Sequence, residues 1–212
     1  MRLLVAITVL YSLIPPLVYW FIKNKLNNEI KPVFPFIVLC FLAGLYEFIF
    51  TTLLRVNTLP WFYTYDILYF FTIQYFFYYI LEKKIKKIVW ISSSSYIVLF
   101  VYFVVNNSIK NYLTHLSYLS SITTFWIIIF SIMWFKKTFK ETNLESLANS
   151  PSFYFVSGFL IYNSGVIVLF LLSNSMYAND SKSFHYFWII NLFFNIVHKT
   201  ILIVGIWKAR IN

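Results

Sequence analysis

Seven stretches of about 20 mostly apolar residues follow one another along the chain, at 3–22, 33–54, 59–81, 87–105, 112–135, 152–173 and 184–208, with short connections between them. A helix of about 20 residues is about 30 Å long, the thickness of the hydrocarbon layer of a bilayer. The pattern therefore predicts an all-α, polytopic membrane protein, a single transmembrane domain over residues 1–212 built as a seven-helix bundle. A membrane β-barrel requires alternation of apolar and polar residues. Runs such as Phe125-Trp126-Ile127-Ile128-Ile129-Phe130 do not alternate. Composition agrees with this class: 60% of residues are hydrophobic and 11% charged, against about a quarter charged in a soluble domain. Disorder and coiled coil are excluded on the same ground. A single cysteine, Cys40, excludes an internal disulfide. The longest connection, 136–150, is too short for a soluble domain. It ends in Ser150-Pro151, a helix cap followed by proline at the first helical position. The first apolar stretch lies between Arg2 and Lys23 and reads as a retained span rather than a signal peptide.

Basic residues give the expected orientation. Lys23, Lys25, Lys31, Lys83, Lys84, Lys86, Lys87, Lys136, Lys137, Lys140, Lys208 and Arg210 fall on one side, against Arg2, Arg55, Lys110 and Lys182 on the other. Twelve against four places the N-terminus outside and the C-terminus in the cytoplasm. The net charge of +10 is spread in short clusters between apolar segments rather than over one folded face. Membrane lipid phosphates, not nucleic acid, are the expected anionic partner. Trp61, Trp90, Trp134, Trp188 and Trp207 fall near span ends, as in an interfacial aromatic belt.

Polar residues inside the apolar segments are the candidate site. Charge near the centre of a bilayer costs about 3 kcal/mol or more, so Glu47, Asp66 and Lys199 should face the bundle interior with partners. From the span limits, Glu47 and Asp66 lie about 5–6 Å outward of the midplane and Lys199 about 4–5 Å inward. Helical side chains lean towards the N-terminus of their helix, so Glu47 and Lys199 lean towards each other. The expected arrangement is a central Glu47–Lys199 ion pair, with Asp66 bonded to Asn191 above it. Asn191, Asn195 and Lys199 are four apart and form one stripe; Cys40, Gly44 and Glu47 form another. Asp66 and Gln74 share a side of the third span, and Asn163 is near the middle of the sixth. Gly158, Tyr162 and Gly165 offer a small-residue face for close helix packing. Pro15 and Pro16 interrupt the first span near its centre and predict a kink. The same polar residues also have a purely structural reading, as bonds that hold helices together.

No cofactor is named by this pattern. His198 neighbours Lys199 but points about 100° away, and single histidines on separate spans make no metal site. No nucleophile constellation or Gly-rich phosphate loop is present.

Two segments carry a family resemblance. Pro151-Ser152-Phe153-Tyr154 is followed by Gly158-Phe159-Leu160-Ile161-Tyr162-Asn163-Ser164-Gly165, and the last span holds Asn191, Asn195-Ile196, Lys199 and Trp207. With Glu47 and the Tyr/Phe-rich third span, these resemble small multi-span membrane proteins of Bacteroidetes-type bacteria found beside, or fused to, sensor histidine kinases. Tyr154 stands where that family more usually has tryptophan, and Asn163 where it has an apolar residue. The resemblance implies a sensory or regulatory module of the bacterial inner membrane, working in signal transduction through a separate kinase, and not itself an enzyme. A small transporter or proton-coupled carrier is the alternative, because intramembrane Glu, Asp and Lys are what a proton path uses. More remote are a retinal-type photoreceptor, with Lys199 forming the Schiff base, and an intramembrane lipid enzyme. Lys199, Asn195 and Asp66 are similar to residues of microbial rhodopsins, but the sixth span has neither the tryptophan nor the proline of that family's pocket.

Overall fold

The computed structural model describes residues 2–56, 59–105, 112–141, 144–179 and 181–210; Lys110 and Asn212 lie outside them. Among the described residues the architecture is all-helical, without strands. The helices are α1 (Arg2–Ser12), α2 (Ile14–Ile22), α3 (Phe34–Tyr46), α4 (Leu59–Ile80), α5 (Lys83–Val105), α6 (Tyr112–Glu141), α7 (Leu144–Asn149), α8 (Pro151–Asn179) and α9 (Ser181–Lys208). Each predicted apolar segment coincides with one or two of them.

Among the described residues five stretches are long and apolar enough to cross a membrane: Ala6–Lys25, Lys83–Val105, Thr114–Glu141, Pro151–Met176 and Tyr186–Lys208. The other two segments differ for chemical reasons. Helix α4 has 22 residues, about 33 Å of helix, but Asp66, Gln74 and its tyrosines lower its apolar character. The apolar helix Phe34–Phe50 is shorter, and its regular α-turns end at Tyr46.

Two helices are irregular. The first divides at Leu13, where Pro15 and Pro16 remove the N–H groups that would bond the carbonyls of Tyr11 and Ser12. The kink expected from the sequence is therefore present. After α3 the chain continues as a π-helical segment, Glu47–Leu53. The Leu54 N–H donates to Ile49 O at 2.9 Å, and the Val56 N–H to Phe50 O at 3.0 Å. Arg55 closes this end at φ 52°, the left-handed position that glycine more often takes.

The helices pack as a ring in chain order. The α1–α2 unit lies beside α3, α3 beside α4, α4 beside α5, α5 beside α6, α6 beside α8, and α8 beside α9, which returns to α1–α2. Helix α4 also meets α6, which leaves α5 on the outside. Glycines set the tightest contact. A Cβ at Gly158 or Gly165 would meet His198 or Phe194 of α9, and one at Gly205 would meet Phe155 of α8. The small-residue face expected on α8 is the face that α9 covers.

The distribution of side chains inverts that of a soluble protein. Phe21, Trp20, Val98, Val105 and Tyr186 are exposed, whereas Asp66, Gln74, Asn163, Asn191, His198 and Lys199 are buried. An exterior of large apolar residues round a polar interior is the arrangement that a lipid solvent favours. The aromatic core, with Phe36, Phe76, Phe77, Phe130 and Phe159, fills the space between.

Candidate functional site

The buried polar residues form three groups at different places in the ring. The first centres on Lys199, buried on α9. Its Nζ donates to Ser12 Oγ at 2.5 Å, and Ser12 Oγ in turn donates to Thr8 O at 2.8 Å. Ser12 is the last residue before the break in the first helix. From its other side Gly44 of α3 closes in, where a Cβ would be 3.0 Å from Ser12 Cβ. The adjoining residues Tyr11 and Thr200 share a hydrogen bond of 2.9 Å. Glu47 opens the π-helical segment, exposed on the bundle surface, and acts electrostatically on Lys199. Lys199 thus donates to a hydroxyl on α1, Ser12 Oγ.

The second group surrounds Asp66. Tyr96 of α5 donates to Asp66 Oδ2 at 2.7 Å, and Ser120 of α6 donates to Oδ1 at 3.0 Å. Both carboxylate oxygens are therefore held, by donors on two neighbouring helices. The Tyr96 ring stacks on Phe70 at 3.9 Å, which fixes its hydroxyl in place. Further along α4, Gln74 Oε1 lies 3.4 Å from Ser92 Oγ, whose proton goes to Val89 O at 2.8 Å.

The third group lies between α4, α8 and α9. Asn163 Nδ2 donates to Phe159 O at 2.8 Å and to Tyr69 Oη at 3.3 Å. Tyr162 donates to Asn191 Oδ1 at 3.0 Å, and Asn195 follows one turn later on α9. His198 packs among Phe36, Phe159 and Tyr162.

The structure therefore brings Asn163, Asn191 and Asn195 together, and gathers Lys199 with Ser12. It does not join Asp66 to Asn191: α4 turns Asp66 towards α5 and α6, while α8 supplies the partner of Asn191. The expected Asp66–Asn191 bond is replaced by Tyr96–Asp66–Ser120 and Tyr162–Asn191. Sequence reasoning missed Ser12, Tyr69, Tyr96 and Ser120 as members of the site. Their signal was a hydroxyl in the middle of an apolar segment, which is common enough to be unselective. Among the described residues no group of three or more His, Cys, Asp or Glu is placed to hold a metal ion.

A further feature lies at the basic end of the ring. Lys137 of α6 bonds Glu82, in the α4–α5 turn, at 3.3 Å. This contact sets the lysines at the start of α5 beside those at the end of α6. Comparison of the chain with family models, with curated proteins and with solved structures gives no match.

Proposed function

We propose that the protein is a sensory or regulatory module of a bacterial cytoplasmic membrane, crossing it seven times with the N-terminus outside, and acting through a separate partner such as a sensor histidine kinase. The observation that carries this reading is where the polar bonds lie. Lys199–Ser12, Asp66–Ser120 and Asn163–Tyr69 all cross from the α6, α8 and α9 group to the rest of the ring. Within that group α8 and α9 are packed tightly through Gly158, Gly165 and Gly205. A boundary held by a few exchangeable hydrogen bonds is suited to two arrangements of the ring, and a stimulus that favours one of them moves the helix ends. The joined lysine-rich ends of α5 and α6 supply a basic surface for lipid phosphates and for an acidic face on the partner. Co-reconstitution in nanodiscs with sensor histidine kinases of the host bacterium provides the test. Autophosphorylation of one kinase should depend on the module, and Asp66→Asn should change that dependence. No response from any of them would end this reading.

A second reading, a proton-coupled carrier, is favoured by one specific observation. The broken α1–α2 unit and the π-helical end of α3 pack against each other where Gly44 meets Ser12 and Leu13. Paired irregular helices beside a buried lysine are a feature of carrier sites. Proteoliposomes loaded with a pH-sensitive dye separate the two readings, since proton flux that is lost in Lys199→Met supports the carrier.

A further inference from the structure

We propose that the centre of the bundle is an internal water site, in which ordered water bonds Asn163 Oδ1, Asn195 Oδ1 and His198 Nε2 and joins them to the Tyr69 and Tyr162 hydroxyls. The inference is independent of whether the protein is a sensor or a carrier.

Asn163 is wholly buried. Its amide nitrogen serves Phe159 O and Tyr69 Oη, but its Oδ1 has no partner in the protein. His198 is 4% exposed. Its ring lies 5.3–5.4 Å, centre to centre, from those of Phe36, Phe159 and Tyr162, and its Nε2 has no partner either. Asn195 Oδ1 is the third such atom.

These side chains are contiguous. Asn163 touches Tyr69, and Tyr69 lies within electrostatic reach of Tyr162. Tyr162 bonds Asn191, which stands one turn before Asn195 on α9, and stacks on His198. Among the described residues, three of the five buried polar atoms without partners thus lie in this one group, the other two being His115 Nδ1 and Thr123 Oγ1 on α6.

The chemistry of these atoms selects the occupant. Two of them are amide oxygens, which only accept, so whatever satisfies them must donate. Lys199, next to His198 in the chain, already supplies positive charge, which disfavours a cation. The close aromatic packing round His198 favours the smallest donor available. Water donates twice, accepts twice, and in protein interiors characteristically bonds buried groups that the chain itself leaves unsatisfied.

X-ray radiolysis of the full-length protein in nanodiscs prepared in oxygen-18 water tests this, because hydroxyl radicals born from ordered internal water label the residues beside it. Tyr69, Tyr162 and His198 should take up the label several-fold faster than Tyr96 and Phe130, which are at least as deeply buried. His198→Phe, which keeps the planar ring and removes Nε2, should reduce labelling of Tyr162 while the protein still elutes as a folded particle. Asn163→Leu should do the same for Tyr69. Labelling no faster than at Tyr96 and Phe130 overturns the proposal. So does a His198→Phe protein that is more heat-stable with Tyr162 labelled as before. Labelling that disappears after exhaustive exchange into defined lipid and buffer assigns the site to a retained solute, and overturns it as well.

Discussion

Gly205→Ala should harm the protein measurably more than Gly165→Ala, although an added Cβ would be 2.5 Å from an aromatic ring at either site. Carbon atoms in contact are about 3.5–4.0 Å apart, so each substitution demands a movement of about 1 Å. At Gly165 the nearest atoms are the far end of the Phe194 ring, and Phe194 is half-buried rather than enclosed. At Gly205 the nearest atoms belong to Phe155, which is 1% exposed and enclosed by the aromatic core, and Tyr154 Cβ lies at 3.2 Å. Overpacking a closed site costs about 1–3 kcal/mol. Replacing glycine by alanine inside a helix returns about 1 kcal/mol. The net expectation is a loss of up to about 2 kcal/mol for Gly205→Ala and close to none for Gly165→Ala. Loss of the folded, monodisperse species on heating in mild detergent measures the difference, and Gly205→Ala should melt several degrees below Gly165→Ala. Adding Phe155→Leu to Gly205→Ala should recover part of the deficit by vacating the space. Equal melting temperatures, or a lower one for Gly165→Ala, would refute the packing argument.

Asp66→Ala should cost about 1–3 kcal/mol, because it leaves the buried Tyr96 and Ser120 hydroxyls without their acceptor; Asp66→Asn should cost less, and equal losses would show that these bonds add nothing. Ser12→Ala removes the acceptor of a buried ammonium and should cost about 1.5–3 kcal/mol, with Lys199→Met in the same chain recovering much of it; strictly additive losses would separate the two residues. Between Glu47→Gln and Lys199→Met the coupling should stay near 1 kcal/mol or below, since Glu47 is on the surface and Ser12 Oγ accepts the Lys199 hydrogen bond; a coupling of about 3 kcal/mol or more would restore the direct ion pair. For the proposed orientation, a cysteine at Asn179 should react with an impermeant reagent in intact cells and one at Lys140 should not, and the opposite pattern would invert the topology.

The helical architecture was legible because lipid imposes a coarse rule, about 20 apolar residues per helix, that segments such as 152–173 satisfy without ambiguity. The break at Leu13 was legible for an equally local reason, the two missing N–H groups of Pro15 and Pro16. The π-helical run from Glu47 was not, since nothing in Glu-Phe-Ile-Phe-Thr-Thr-Leu distinguishes an i−5 ladder from an i−4 one. The site was read in part. Depth along a helix can be counted, and it placed Asp66 and Asn191 at one level. Rotation about the helix axis depends on which neighbour packs where, and α4 turned Asp66 to Tyr96 and Ser120 instead. The Asn191, Asn195 and Lys199 stripe survived because spacing within one helix needs no neighbour. The stripe nevertheless meets different partners along its length, Tyr162 at Asn191 and Ser12 at Lys199.

The ring closes between its first and last helices, through Lys199 to Ser12 and Thr200 to Tyr11, and the Asn27 N–H reaches Ala209 O at 2.9 Å below them. In order of synthesis, this makes closure of the ring wait for α9. Until α9 leaves the ribosome, the glycine face of α8 has no partner and Ser12 has no lysine to receive. The incomplete bundle presents a small-residue groove to lipid, to other helices and to the quality-control proteases of the membrane. A chain stalled before α9 is therefore chemically distinguishable from one that includes it, and arrival of Lys199 at Ser12 marks the moment when that difference disappears.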